Sequence, residues 1–421
     1  MTSKIEPAEP RAGHGRGYRP RDSARLEVRR LAGPEEIARL EPEWRELHDG
    51  GAPLNPYASP DWIVPWLDRF VAERDRAVLT VRREDRLIGV APCFTRRIAG
   101  GLARTVQLAG TVHHAGLTEL PQVLAASGET RSVQRAVLGH WAERAGGWDW
   151  LELPLSADQG WFEPQWLGEG GEFRGLVQHK MTRAAVVLPL RGAQPPISGL
   201  LKRNVWESVK RSRNRLDREC VFWQVTVHEG AEAATAALPV LRRLHAARAA
   251  TAGKRTHPDT LAEPERYAFL EEAVRRMAAA GRAELMTLDV SGEPVAALLV
   301  LRAAQTSYFA LSGLDPVWWR TGPVTLLQYE AAERAALRGD AEVNFSVGPD
   351  LSKLRWSESV VQHPEFVVCG PRPGSRRRLA GYAALASVAA VRREAARHRV
   401  LKRGSDAPAG KATATGTSGE H

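Results

Sequence analysis

The hydrophobic and polar positions of the N-terminal part of the chain alternate between helical and strand spacing. After Gly33-Pro34 and two acidic residues, apolar residues from Ile37 to Leu47 recur every three or four positions, which predicts an amphipathic helix that begins at the proline. Two apolar runs around Glu84-Asp85-Arg86 predict a β-hairpin. In order, this part is predicted to form helices over 33–47 and 62–70, strands over 77–82 and 87–94, a helix over 132–145 and a strand over 148–153.

The rest of the chain repeats that order of elements at greater length. Ser291-Gly292-Glu293 marks a tight hairpin turn between two apolar runs. The predicted elements are helices over 199–218, 231–252, 264–280 and 323–338, and strands over 221–228, 283–290, 294–302, 306–313 and 341–347. The repetition suggests an internal duplication, so we predict an α/β (α+β) fold of two tandem domains, each with a mixed central sheet flanked by helices. We place the N-terminal half at 26–190 and the C-terminal half at 191–374.

Length and composition agree with this picture. A chain of 421 residues with 43% hydrophobic residues exceeds one comfortable core, so two domains are expected. The three cysteines, Cys93, Cys220 and Cys369, are far apart and lack a CxxC spacing, which argues against disulfides and structural zinc. Because there is no apolar leader at the start and no long uncharged apolar run, we expect a cytoplasmic protein.

The net charge of +10 is confined to the ends of the chain. Residues 1–25 carry +3, residues 375–403 carry +8 and residues 404–421 carry −1, so residues 26–374 sum to zero. A neutral core weakens any model in which a broad folded face grips nucleic acid, and we expect no DNA partner. Residues 1–25 and 404–421 are predicted to be disordered.

Residues 376–402 have apolar positions at helical spacing between two arginine clusters. The apolar centre, Leu379 to Val391, is too short to span a bilayer. Two alternatives follow: a basic amphipathic helix with weak peripheral contact to an anionic membrane, or a helix that is packed on the protein's own surface or frayed in solvent.

Five short motifs carry a resemblance to a known family. They are Ser59-Pro60-Asp61-Trp62, Leu244-His245-Ala246-Ala247-Arg248, Gly292-Glu293-Pro294-Val295-Ala296, Gly313-Leu314-Asp315-Pro316, and Phe345-Ser346-Val347-Gly348 followed by Lys353. Together with the three consecutive strands over 283–313, they resemble the GNAT acyltransferases, and more closely the CelD/BcsL-like subgroup of bacterial chains, which is related to the Fem-like tandem transferases. Two departures stand out. Ser352 replaces a tyrosine that such chains often have before the late lysine, and Gly116-Leu117-Thr118-Glu119 replaces an Asp-Tyr element.

The resemblance implies an acyl-CoA donor site in the C-terminal half. GNAT enzymes bind pantetheine along a splayed strand and place the pyrophosphate on the free N–H groups of the next helix. The residues implied to bind the donor are Leu311, Gly313, Arg320, Thr321, Gly322 and Val324. The alternative is that Gly322-Pro323 only begins a surface helix.

Acyl transfer to an amine requires a base, donors for the tetrahedral oxyanion and an acid for the thiolate. The candidates are Asp289, His245, Arg248 and Lys353. Three of them have a structural alternative: Asp289 as a turn residue, His245 as a capping or partly buried histidine, and Lys353 as part of a solvated basic loop. The sequence does not select among them.

We therefore predict transfer of an acyl group, such as acetyl, from acyl-CoA to an amine or hydroxyl of a small molecule or sugar, without a metal. A Fem-like transferase that uses aminoacyl-tRNA is one alternative, and the basic helix around 202–215 would suit it. That helix is equally explained by a solvated face with Leu201, Val205, Val209 and Leu216 turned inward. The other alternative is a non-catalytic accessory protein in polysaccharide or secondary-metabolite assembly.

Overall fold

A computed structural model of the chain describes residues 26–50, 55–111, 117–143, 147–154, 177–219, 222–251, 258–348, 350–370, 372–385 and 387–388. The helices are α1 (Pro34–Gly50), α2 (Pro60–Phe70), α3 (Thr130–Glu143), α4 (Arg203–Glu219), α5 (Gly230–Ala250), α6 (Pro264–Ala279), α7 (Pro323–Arg338) and the short α8 (Leu351–Leu354). The strands are β1 (Leu26–Leu31), β2 (Arg76–Arg83), β3 (Arg86–Ile98), β4 (Ala103–Leu108), β5 (Leu124–Ala125), β6 (Trp150–Pro154), β7 (Val177–Pro189), β8 (Trp223–Glu229), β9 (Ala283–Val290), β10 (Glu293–Ala303), β11 (Thr306–Leu314), β12 (Glu342–Val347) and β13 (Val360–Cys369).

All thirteen strands belong to one mixed sheet. Its strand order is β1-β2-β3-β4-β6-β13-β7-β12-β11-β10-β9-β8, and β5 pairs with β3. Neighbouring strands along this path are antiparallel except for β4 with β6 and β11 with β12, which are parallel. The predicted α/β fold with a large mixed sheet flanked by helices is therefore confirmed.

The two halves exchange a strand at the centre of the sheet. The last strand of the N-terminal half, β7, pairs with β12 of the C-terminal half. The last strand of the C-terminal half, β13, pairs with β6 of the N-terminal half, and β13 and β7 also pair with each other. The boundary at residue 190 stays a prediction, but three strand pairs of the sheet join residues on its two sides.

Two large apolar clusters hold the helices on this sheet. One joins α1, α2 and α3 to the strands of the N-terminal half and continues into α5 and α6. The other lies between β8–β12 and the helices α4 and α7. The first cluster bridges the halves through aromatic rings, because Phe269 of α6 makes edge contacts with Trp62 and Phe70 of α2 at centroid distances of 5.1 and 5.7 Å. Such buried ring pairs stabilise the contact beyond their area alone.

The segment that follows β13 packs on the protein's own surface. Residues 375–385 are helical, with Leu379 in an apolar cluster with Trp150 and with the Tyr382 ring 5.4 Å from the Trp150 ring. At the start of this segment Ser375 and Arg378 donate to the buried carboxylate of Asp149 at 3.0 and 2.7 Å. This agrees with the second alternative for the region, while residues 389–402 lie outside the described residues. No described helix is long and apolar enough to cross a membrane.

Most predicted elements are present within a few residues, and α7 begins at Pro323 as predicted. Sequence analysis missed β1, β4, β5, β7 and β13. Ser291 and Gly292 both have positive φ, which fits the predicted tight hairpin. Cys93 and Cys369 are free and buried, whereas Cys220 lies outside the described residues.

Candidate active site

The parallel strands β11 and β12 separate after three residue pairs. Thr306, Ser307 and Tyr308 pair with Glu342, Val343 and Asn344, and beyond them the two strands diverge. On the other side of β11, the register with β10 shifts between Leu299 and Val300, so that Ala310 stands outside the regular ladder. A bulge of this kind leaves backbone groups of the extra residue without a ladder partner.

A cleft of about 880 Å³ opens where these strands part. Its walls come from β11 (309–312 and Leu314), the first turn of α7, α5, the end of β12 and α8. The polar and charged side chains in its lining are Glu119, His245, Arg248, Ser312, Thr325, Gln328, Ser346, Asp350, Ser352, Lys353 and Arg355. The cleft therefore lies at the splayed strand and the helix start that the resemblance implied.

The N-terminus of α7 faces this cleft. Gly322 precedes it in the left-handed conformation (φ 70°), Pro323 occupies the first turn, and no acidic residue lies in that turn. Ser212 of α4 fixes the approach by donating to the carbonyl of Thr321 at 2.6 Å. Because the first N–H groups of a helix have no intrahelical acceptor, this end presents donors and the positive end of the helix dipole.

Three cationic side chains line the same cleft, and one of them contacts the first turn of α7. Arg355 donates to Thr325 of the first turn at 2.6 Å, and Arg248 donates to Ser312 at 2.9 Å. Burial lowers the pKa of both guanidinium groups, and the neighbouring Arg211 lowers that of Arg355 further. Lys353 donates to the carbonyl of Val347 at 2.7 Å, and burial also lowers the pKa of its ammonium group. Charges that are poorly solvated in this way favour an anionic ligand.

A carboxylate from the N-terminal half reaches the same cleft. Glu119 accepts a hydrogen bond from the Ser346 hydroxyl and another from the Val347 N–H at 3.2 Å. Ser346 has a positive φ of 75°, a conformation rare for non-glycine residues, and it stands where β12 ends. Burial raises the pKa of Glu119, although Ser346, Lys353, the Val347 N–H and the Tyr57 hydroxyl oppose that rise.

His245 lines the cleft but both of its ring nitrogens are engaged. Nδ1 lies 3.0 Å from the Ser312 carbonyl, which can only accept, so Nδ1 carries the proton. Nε2 lies 3.0 Å from the Thr260 hydroxyl and 3.3 Å from its N–H, and accepts from them. Because the lone pair of Nε2 is occupied, His245 is poorly placed to accept a proton. Its Nδ1–H instead joins α5 to β11.

The structure brings together six of the ten predicted site residues. His245, Arg248, Leu311, Gly322, Val324 and Lys353 line the cleft. Gly313 serves the packing of α5 on β11, since a Cβ there would lie 2.6 Å from the backbone nitrogen of His245. Asp289 lies on β9, separated from β11 by β10, and accepts from Thr226 at 2.6 Å. Thr321 is buried and Arg320 is exposed, and neither side chain is among the groups that line the cleft. The roles of all ten stay predictions.

Glu119 and Arg355 are the groups that sequence reasoning did not select. Glu119 was visible only as a departure from the family pattern, and Arg355 only as a neighbour of Lys353. The sequence did contain a signal for Glu119, because this acidic residue stands three positions after a glycine in a segment rich in apolar residues.

Comparison with known proteins agrees with this geometry. Residues 203–354, a little over a third of the chain, match the model of a family described as acetyltransferase (GNAT) domain. This region is similar in sequence to GNAT-type acetyltransferase domains. The match covers the cleft apart from Glu119 and Arg355, and it supports an N-acyltransferase-type enzyme. No curated protein matches the chain in sequence.

Solved structures extend the likeness to both halves. The structure of FemX has a TM-score of 0.56 and 11% identity, over 81% of this chain and 96% of that one. A conserved protein of unknown function from Bacteroides thetaiotaomicron VPI-5482 has a TM-score of 0.50 and 10% identity, over 82% and 99%. A tandem GNAT protein from the clavulanic acid biosynthesis pathway has a TM-score of 0.44 and 13% identity, over 83% and 99%. At such identities the likeness concerns the fold alone.

Proposed function

We propose that the protein transfers an acyl group from acyl-CoA to an amine or hydroxyl of a small molecule or sugar. The observation that carries this proposal is the meeting, in one cleft, of a splayed strand, a helix N-terminus, cationic side chains and a half-buried carboxylate. Together these supply a place for an acyl donor and a group that can accept a proton.

The residues present fit a CoA donor. A volume of about 880 Å³ lies within the range of about 300–1,000 Å³ that is usual for ligand clefts. The α7 N-terminus and Arg355 would hold the pyrophosphate, because backbone N–H groups and guanidinium groups are strong donors to phosphate oxygens. The unpaired backbone of the bulge at Ala310 would donate to the thioester oxygen, where negative charge develops during transfer. When bound, CoA supplies the acyl thioester.

Glu119 is the base that we propose for the acceptor. Its carboxyl lies in the cleft, and burial raises its pKa above the ordinary value of 4.5 towards the range in which a general base is efficient at neutral pH. Ser346 and the Val347 N–H hold the carboxylate in position at the end of β12. Removal of a proton from an acceptor ammonium or hydroxyl would produce the nucleophile for the thioester carbonyl. As the new acyl–nitrogen or acyl–oxygen bond forms, the acyl–sulfur bond would break, and the proton held by Glu119 would pass to the departing sulfur, so that CoA leaves as the free thiol.

Calorimetry with CoA, followed by a CoA-thiol release assay on a panel of amines and hydroxyl compounds, tests this function. We expect CoA to bind and at least one acceptor class to release thiol. Loss of CoA binding in a variant with an obstructed helix start, Thr325→Trp, would place the donor at α7. Absence of CoA binding to the folded wild type would refute the acyl-CoA proposal.

One observation favours an aminoacyl-tRNA donor as a second candidate. Arg211, an exposed residue of α4, lowers the pKa of Arg355, which lines the cleft, so the basic helix lies near the site. The four predicted inward residues of this region, Leu201, Val205, Val209 and Leu216, are all buried. A titration with charged tRNA at 50 and 200 mM salt separates the donors, since tRNA binding through phosphates falls steeply with salt.

A further inference from the structure

A second cleft lies in the N-terminal half, away from the candidate active site. It has a volume of about 920 Å³ and lies beside the end of α2, the turn at 73–75, the last residues of β3 and the start of β4. It shares no lining residue with the cleft at β11. The starts of β2 and β4 lie here.

The lining of this cleft has an excess of positive charge. It contains five arginines, Arg69, Arg74, Arg96, Arg97 and Arg104, and one carboxylate, Asp75. Arg69 binds Glu265 at 3.1 Å, and Arg74 approaches Asp75 at 3.8 Å. Arg104 donates to the Thr95 hydroxyl at 3.3 Å. Arg96 and Arg97 make no ion pair with any residue that the structure describes.

Clustered guanidinium groups without carboxylate partners repel one another, and an anion placed among them would relieve that repulsion. Arginine suits phosphate in particular, because its planar group donates two parallel hydrogen bonds to phosphate oxygens. Arg97 of β3 and Arg104 of β4 are register partners across the hairpin, so the strands hold these two positions next to each other.

The floor of the cleft is aromatic. Trp66 contacts Phe70 and Phe94 at ring centroid distances of 5.5 and 5.4 Å, and all three rings contribute to the lining. The indole Nε1 of Trp66 is buried and has no hydrogen-bond partner among the described residues, which is unusual for a buried polar group. An apolar floor beneath a basic rim matches a ligand that has both an organic portion and a phosphate.

We propose that this cleft binds an organic phosphate at the edge of β3, where Arg96 approaches the phosphate from one face of the strand and Arg97 and Arg104 from the other, with the apolar portion over Phe70 and Phe94. The phosphate can belong to a free metabolite or to a lipid headgroup, since both offer the same oxygens. The ligand would occupy the N-terminal half and leave the candidate active site free for its own substrates.

Calorimetry on the full chain tests the site with two probes, inorganic pyrophosphate and dimethylallyl diphosphate. In the variant R96Q/R97Q we expect affinity for both to fall by about 10- to 100-fold, from the loss of one or two charge-assisted contacts. The control R86Q/R131Q removes the same charge from two exposed arginines elsewhere in this half and should bind as the wild type does. Dimethylallyl diphosphate should bind more tightly than pyrophosphate because of the aromatic floor.

The variant Arg355→Gln distinguishes this cleft from the candidate active site. The binding of pyrophosphate and dimethylallyl diphosphate that R96Q/R97Q loses should persist in Arg355→Gln. Co-sedimentation with vesicles of phosphatidic acid tests the lipid source. If only vesicles bind, and R96Q/R97Q abolishes that binding, the ligand is a lipid phosphate. Equal affinities in the wild type, R96Q/R97Q and R86Q/R131Q, or no binding of any of the three probes, would overturn the proposal.

Discussion

The parallel strand pairs β4/β6 and β11/β12 begin alike and end in different surroundings. Each has three paired residues before the strands part. After β11 the chain turns through Gly322 into α7, and the space between the strands remains open as the cleft. After β4 the chain instead returns across this half, and Leu117, Leu120, Val123 and Leu124 of the returning segment are buried in its core.

The helix starts differ as well. α7 has no acidic residue in its first turn, whereas Glu129 immediately precedes α3 and its carboxylate binds Arg83 at 2.8 and 3.2 Å. A carboxylate at that position already satisfies the positive end of the helix and would repel a phosphate. The start of α3 thus differs from the start of α7, which faces the cleft at β11. The segment after β4 also carries Glu119 into the cleft at β11, so the N-terminal half adds a carboxylate to that site.

The largest effect should come from removing that contribution. Glu119→Gln keeps the size and the hydrogen-bond acceptor of the side chain but cannot take a proton, so we expect kcat to fall by about 10²- to 10⁴-fold with CoA affinity nearly unchanged. Thiol release and calorimetry measure the two quantities. Glu129→Gln, the corresponding change at the start of α3, should keep wild-type kcat. If Glu119→Gln kept the wild-type kcat, the N-terminal half would not supply the base of the reaction.

The next effect concerns the donor. Arg355→Ala removes a guanidinium beside the first turn of α7, and we expect the affinity for CoA to fall by about 1–3 kcal/mol. Arg320→Ala, in the turn before α7, removes an exposed side chain and should have a smaller effect than Arg355→Ala. Calorimetry on both variants ranks them. The opposite ranking would move the pyrophosphate towards the turn at 316–321, as the sequence alone suggested.

A third prediction tests the packing of the segment after β4 that carries Glu119. Gly110 has a φ of 93°, and a Cβ there would lie 2.4 Å from Cγ2 of Thr118, the neighbour of Glu119. Gly128 has a φ of 78° with open space around it. Gly110→Ala should therefore reduce the free energy of unfolding by about 1–3 kcal/mol more than Gly128→Ala does, because only the first overpacks the core. Urea unfolding measures both variants. Equal decreases in the free energy of unfolding would mean that the segment around Thr118 shifts to accommodate the added Cβ.

The smallest effect is a pH dependence of stability. Because burial raises the folded-state pKa of Glu119 above 4.5, its contribution to stability is present below that pH and is lost as the pH rises through the folded pKa. Glu119→Gln cannot ionise, so its stability relative to the wild type should increase from pH 4 to pH 8. Urea unfolding at several pH values measures this. If the difference in the free energy of unfolding between variant and wild type stayed constant with pH, the pKa of Glu119 would be the same in the folded and the unfolded protein.

Local patterns were sufficient for much of the fold and for part of the site. The start of α7 follows from a Gly-Pro pair, and the hairpin at 291–292 from its turn residues, because both are determined by neighbours in the chain. His245 and Arg248 share the face of α5 towards the cleft because of their spacing on one helix.

The parts that were missed depend on contacts between distant residues. β7 and β13 pair with strands of the opposite half, and no periodicity within either segment specifies such a partner. Glu119 joins Ser346 across more than two hundred positions of the chain. Asp289 was expected in the site because it ends a strand, but that strand lies two places away from β11, and only the strand order reveals this.

The strand exchange also has a consequence for how the protein is made. The N-terminal half cannot complete its sheet until β13 has left the ribosome, roughly 200 residues after β6. At about 5–20 residues per second, this delay is on the order of 10–40 s. During that interval β6 has an open edge in the nascent chain, and such edges attract other strands. We expect the nascent chain to require protection by chaperones that a protein with two self-contained halves would not need.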